Sequence, residues 1–223
     1  MSDDPHAVLI CGVAVDPPVW DRTATALSHL GFAVHVPLRP QSGDLDTELD
    51  ALAPLCAGAL VIGVSGGATL GLELAARGVP MSAAILHEPA AGSLAPGLLD
   101  DVVAGFHADG VTGFGRALYG PEWHPDMTTA DADTVGRELA MFRAFEPHPP
   151  AVDPASVSLT VGERSPRARH ASVQALSEAT GIRYRVLPDT GHAAHLQNAF
   201  APLLDEWALV ESGDVTYARS QSR

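Results

Sequence analysis

The chain has 223 residues, enough for one sizeable core and too few for a second full domain. Hydrophobic residues make up 46% and charged residues 18%, which excludes a disordered tail and a coiled coil. The formal net charge is −14, and so negative a surface repels phosphate backbones and anionic lipid. Neither a nucleic-acid partner nor a membrane surface is expected.

The longest apolar run near the start, Val8 to Val15, is far shorter than the roughly 20 residues of a membrane helix. Asp3 and Asp4 stand where a signal peptide carries positive charge, so a cytoplasmic protein is expected. Cys11 and Cys56 form no spaced framework, which argues against a structural disulfide or a zinc site and for a reducing compartment.

In chain order, aliphatic and β-branched runs predict strands near Ala7 to Cys11, Ala33 to Val36, Ala59 to Val64, Ala83 to His87, Ser156 to Val161 and Tyr184 to Leu187. Helical spacing predicts helices near Val19 to Leu30, Leu45 to Cys56, Gly67 to Arg77, Arg167 to Thr180 and Gln197 to Val210. Gly31, Gly78 and Gly181 sit where helix C-caps would be. Strand and helix in alternation give an α/β fold: a three-layer sandwich around a mainly parallel sheet. The alternation breaks over about residues 90–154, where Leu98 to His107, Val111 to Leu118 and Ala132 to Phe145 read as helices without a strand. Such an insertion reads as a cap over the strand ends. Residues from about Gly213 to Arg223 are polar and expected to be loose.

The most informative stretch is Gly63-Val64-Ser65-Gly66-Gly67, which joins the buried run Ala59 to Ile62 to an apolar helix. Strand, G-x-S-x-G and helix in that order are the context of a nucleophile elbow, which presents a serine hydroxyl at a strand end. A hydroxyl is a weak nucleophile until a base takes its proton. His192, in Pro188-Asp189-Thr190-Gly191-His192 after the last strand, lies on the same sheet edge as Ser65. His195 falls at the start of the closing helix and reads as a cap-region or pocket residue.

The chain resembles the alpha/beta-hydrolase superfamily in the elbow, the Gly191-His192 loop, the insertion after His87 and Cys11-Gly12-Val13 after the first strand. Cys11 replaces the histidine that often precedes that glycine. The resemblance implies a serine nucleophile at Ser65, a histidine base at His192, an oxyanion hole made by the Val13 and Gly66 amides, and no metal or organic cofactor. In most of the family the acid is an Asp after the penultimate strand, where this chain has Val161-Gly162-Glu163-Arg164-Ser165-Pro166 with Ser165 at the expected position. Serine cannot supply the charge that orients the histidine.

Three carboxylates could substitute. Glu88 ends the strand beside the one carrying Ser65 and keeps the order nucleophile, acid, base. Some superfamily members carry their acid there, and Glu88 is the expected acid. Glu163 lies two residues early, and Asp189 is better placed to brace its own loop. His87 alternates to the opposite side of the sheet from Glu88, with no catalytic part. The insertion supplies aromatic residues, and Trp20, Phe106, Phe114, Trp123 and Phe142 are expected to wall a pocket over Ser65. The expected function is hydrolysis of a small carboxylic ester or lactone with an apolar portion, through an acyl-enzyme on Ser65. Two rivals stay open: lyase, carbon–carbon or perhydrolase chemistry on the same site, and a degenerate fold serving as a binding module, which Ser165 favours. A homodimer remains compatible with the sequence.

Overall fold

The computed structural model describes residues 5–204. A six-stranded sheet, entirely parallel among the described residues, runs β2-β1-β3-β4-β5-β6. Its strands are β1 (His6–Ile10), β2 (Ala33–His35), β3 (Leu60–Val64), β4 (Ala83–His87), β5 (Val157–Gly162) and β6 (Arg183–Leu187). Every strand begins within one residue of the sequence expectation. β3 is buried throughout, as an apolar run between two neighbours must be. The edge strands β2 and β6 are mostly exposed.

The connecting helices are α1 (Asp21–His29), α2 (Leu45–Cys56), α3 (Gly66–Ala76) and α6 (Arg167–Thr180). Asp44 caps α2 by accepting from the Thr47 amide at 2.9 Å. Right-handed crossovers place α1 on one face of the sheet and α2, α3 and α6 on the other. From α3 to β3 and β4 the packing is close, and Gly66 to Ala75 are all buried. The helix expected over Gln197 to Val210 forms turns through Phe200 and helix from 201 to 204; the remainder, with the tail from Gly213, lies outside the described residues.

Between β4 and β5 the insertion carries α4 (Asp100–Tyr119) and α5 (Ala132–Ala144). α4 is two arms: Asp109 (φ −145°, ψ 28°) and Gly110 (φ 55°, ψ −136°) interrupt it, between the two helical patterns read from the sequence. The arms fold back closely, since a Cβ on Gly105 would lie 2.6 Å from the Gly113 carbonyl oxygen. Asp131 caps α5 by accepting from the Thr134 amide at 2.8 Å. No helix among the described residues is long and apolar enough to cross a membrane.

Chain direction across the sheet reverses between β1 and β3: from β1 the chain moves outward to β2, and from β3 it moves the other way to β4. The loops after β1 and β3 diverge there and leave a crevice at the strand ends, where open α/β sheets bind ligands.

Candidate active site

Ser65 occupies the turn between β3 and α3 at φ 56° and ψ −118°, a conformation costly to a side-chain-bearing residue. Gly63 makes that turn feasible, because a Cβ there would meet Gly67 carbonyl carbon and oxygen at 2.6 Å. The Ser65 amide donates to the His87 carbonyl at 2.9 Å, extending the β3–β4 ladder one step past the strand. Thr69 Oγ1 donates to the Ser65 carbonyl at 3.0 Å and accepts from the Ala90 amide at 2.8 Å, tying the elbow to the next strand end.

Glu88, directly after β4, also has positive φ (49°). Its Oε2 accepts from His192 Nδ1 at 2.7 Å. Its Oε1 accepts from the Gly162 amide at 2.9 Å and from Ser165 Oγ at 2.5 Å. The serine that stands where an acid was expected therefore hydrogen-bonds the carboxylate that has moved. Glu163 points elsewhere, its Oε2 accepting from the exposed Asp189 amide at 3.0 Å, so Glu163 and Asp189 brace each other's loops.

His87 is corrected by the structure. It is fully buried on the His192 side, with Nδ1 2.9 Å from Thr160 Oγ1 and Nε2 3.1 Å from the Gly191 carbonyl. Strand alternation fails between residues 87 and 88 because the positive φ of Glu88 ends the pleat there. His87 thus holds the loop that carries His192.

Burial would raise the Glu88 carboxyl, but the His192 hydrogen bond and charge, with His87 and Arg169, hold it well below the usual carboxylate range. Burial, helped by Arg169 and opposed by Glu88, lowers His192 from 6.5 to about 4. At neutral pH His192 is therefore uncharged, and with Nδ1–H given to Glu88 its lone pair lies on Nε2. Nε2 is buried without a hydrogen-bond partner among the described residues, and Ser65 Oγ makes no hydrogen bond either. The two share one cluster. A Cβ on Gly12 would lie 3.6 Å from Ser65 Cβ and 2.5 Å from Tyr119 Oη, and the Tyr119 ring stacks on His192 with centroids 5.7 Å apart.

The Val13 and Gly66 amides, at the β1 loop and the start of α3, have no acceptor among the described residues. Arg39 Nη2 donates to the Gly12 carbonyl at 3.1 Å and Nε to the Cys11 carbonyl at 2.9 Å. In a trans peptide C=O and N–H point oppositely, so holding the Gly12 carbonyl aims the Val13 N–H away from Arg39. Arg39 is itself fixed by Glu48 of α2 at 2.7 Å and Glu138 of α5 at 2.6 Å, all with fully buried side chains. Cys11 is free and buried, and burial pushes its thiol up to about 12, leaving it unreactive.

Over Ser65 lies a cavity of about 20 Å³, room for about one water. Val13, Gly66, Phe114 and Phe142 line it, with Leu99 and Leu139 from the insertion. Trp20, Phe106 and Trp123 do not line it. Trp20 is buried against His195 and Phe200 at centroid distances of 5.2 and 5.8 Å. Phe106 meets Phe114 edge-on, and Trp123 Nε1 donates to the Ala14 carbonyl at 2.8 Å. Sequence reading missed Arg39, Arg169 and the inward placement of Tyr119; an arginine in a loop carries no local sign of burial.

A sequence model of the alpha/beta hydrolase family matches residues 6–206. The chain belongs to that family. Solved structures with the alpha/beta hydrolase fold agree in architecture. A carboxylesterase of the ammonia-oxidizing thaumarchaeon Nitrososphaera gargenis shares 19% identity at a TM-score of 0.68, covering 96% of this chain and 93% of that one. The enol-lactonase of Burkholderia xenovorans LB400 shares 19% identity at a TM-score of 0.69, covering 92% of each chain. The carboxylesterase CesB of Bacillus subtilis shares 16% identity at a TM-score of 0.61, covering 94% and 84%. No curated protein sequence matches this one. The carboxylate that meets His192 stands at the end of β4, where the sequence reading expects it, and not in the β5 loop.

Proposed function

We propose that the protein is a serine hydrolase of small carboxylic esters or lactones, with Ser65 as nucleophile, His192 as general base and acid, and Glu88 as the carboxylate that orients His192. The observation that carries this reading is the 2.7 Å Glu88–His192 hydrogen bond, which leaves an uncharged imidazole with a free Nε2 beside a serine on a strained elbow. Ser65 Oγ would attack the carbonyl carbon as its proton passes to Nε2, a contact that tightens when substrate fills the site. The Val13 and Gly66 amides would take the developing oxyanion. Nε2–H then protonates the leaving oxygen, the C–O bond breaks, and water repeats the sequence to release the acid. In a lactone the leaving hydroxyl stays tethered to the acyl group throughout, and water releases a hydroxy acid. Each step uses only this chain's groups and water.

Carboxylesterase and lactonase neighbours support this reaction class, as does the apolar lining over Ser65. Ser165, which taken alone favours a binding module, instead donates to the proposed acid. The test is steady-state hydrolysis of short-chain aryl esters. Wild type should turn over, Ser65→Ala should fall to background, and folded wild type with no turnover of any short ester would refute the reading.

A further inference from the structure

Arg169, in the first turn of α6, is 8% exposed and lines the cavity that contains Ser65. Its guanidinium makes no hydrogen bond among the described residues. The group nearest in charge, Glu88 Oε2, stands 3.7 Å from Nε, beyond hydrogen-bond reach. Glu88 cannot turn toward it without loss, because its two oxygens are already held by His192, Gly162 and Ser165. A guanidinium carries five N–H donors, and here none has a protein acceptor among the described residues. Burial does push Arg169 below its ordinary value, and Glu88 opposes that only in part. The other buried arginine among the described residues, Arg39, has carbonyl or carboxylate partners on Nε, Nη1 and Nη2.

What faces Arg169 is equally one-sided. Among the described residues no Asp or Glu lines the cavity, and apart from Ser65 and Thr69 its other walls are apolar side chains and backbone, including Val102, Leu118 and Phe142. Arg169 is thus, among the described residues, the one charged side chain on a wall otherwise suited to a short hydrocarbon chain. A planar carboxylate fits the guanidinium fork with two parallel hydrogen bonds, a geometry that neither an ester nor an amide group reproduces.

We infer that Arg169 is a specificity-determining residue that receives a carboxylate on the acyl portion of the substrate, so that the preferred substrate is a short ester or lactone with a free carboxylate at the far end of its acyl chain. For turnover this rests on Ser65 acting as nucleophile; for binding it does not. With room for about one water in the cavity, the acyl chain is short and the α4 and α5 walls yield to admit it. The net charge of −14 does not assist an anionic substrate at long range, so recognition falls to this one local cation.

Two measurements test it. Monoethyl succinate and diethyl succinate differ at the far end by a charge, and wild type should prefer the hemi-ester by about tenfold or more in kcat/KM. Arg169→Met should lower kcat/KM for the hemi-ester about tenfold or more beyond any change it makes for the diester. Equal slowing of both esters would make Arg169 a partner of Glu88 alone and overturn the inference. Calorimetric titration with butyrate and with butyramide, on wild type and on Ser65→Ala, reads binding without chemistry. Butyrate should bind about tenfold or more tightly than butyramide to both proteins. Equal affinity for the two would overturn the inference with no variant at Arg169 needed, which covers the case in which Arg169→Met does not fold. Preferential butyrate binding by a folded wild type that hydrolyses neither ester would uphold the carboxylate site and refute the hydrolase reading instead.

Discussion

Two buried charges organise this molecule, and they are built to opposite ends. Arg39 sits under the β1 loop with its donors shared among two backbone carbonyls and two carboxylates, Glu48 and Glu138. None of its charged side chains lines the cavity, so it holds shape: it joins α2, α5 and the Gly12–Val13 peptide into one unit. Glu88, at the end of β4, is also ringed by donors, but one of them, His192, has a second nitrogen with no partner. The first network joins loop and helices through ion pairs, whereas the second leaves an imidazole nitrogen free to accept a proton. Both cost desolvation, and in the proposed mechanism only the second takes part in the chemistry.

The sharpest way to break the comparison is Glu88→Gln. The amide keeps the shape and loses the charge, and amide replacement of a triad carboxylate costs about 10⁴ in kcat in serine proteases. We expect a loss of that order here, measured on a short aryl ester, while Glu163→Gln changes the rate little. Adding Ser165→Asp to Glu88→Gln restores a carboxylate at the β5 loop and should recover part of the lost rate. Unchanged activity in Glu88→Gln would remove Glu88 from the site.

Next in size is Arg39→Met, which strands two buried carboxylates and should cost about 3–5 kcal/mol in urea unfolding. A variant that unfolds at the wild-type midpoint would show that the network does not hold the fold. Ser165→Ala removes one charge-assisted donor from Glu88 and should lower kcat about tenfold, with little change in KM.

Buried histidines also make stability depend on pH. Burial lowers His192 from 6.5 to about 4 and His195 to about 3, the latter aided by His192 and His87, and it lowers His87 as well. As pH falls below 6.5 the unfolded chain takes up protons at these positions and the folded chain does not. Stability is therefore fully present above 6.5 and falls as pH drops toward 4, by about 1.4 kcal/mol per pH unit for each such histidine. The slope of unfolding free energy against pH measures this, and His195→Phe should reduce it by about one proton's share.

Much of the fold was legible because parallel core strands are apolar runs bounded by turn residues, and β3 and β4 read that way residue by residue. The break in α4 was visible as two helical patterns separated by Asp109 and Gly110. The Ser65 elbow and the His192 loop were legible since both are short local patterns. Glu88 was reached by position and by the absence of an acid at residue 165. His87 was misplaced because alternation was carried one residue past the point where the backbone of Glu88 breaks it. The pocket was half legible: aromatic content marks the insertion as apolar, but which ring faces Ser65 depends on how α4 folds back on itself. Phe114 and Phe142 turn inward while Phe106 and Trp123 pack within the cap. Arg39 with Glu138, and Arg169 with the cavity, were invisible because each joins segments far apart in the chain.

The central claim is an activated Ser65, and intact-mass analysis after incubation with a fluorophosphonate tests it most directly. Wild type should gain a single adduct, Ser65→Ala none, and Glu88→Gln the same adduct far more slowly. Folded wild type that gains no adduct would contradict the account.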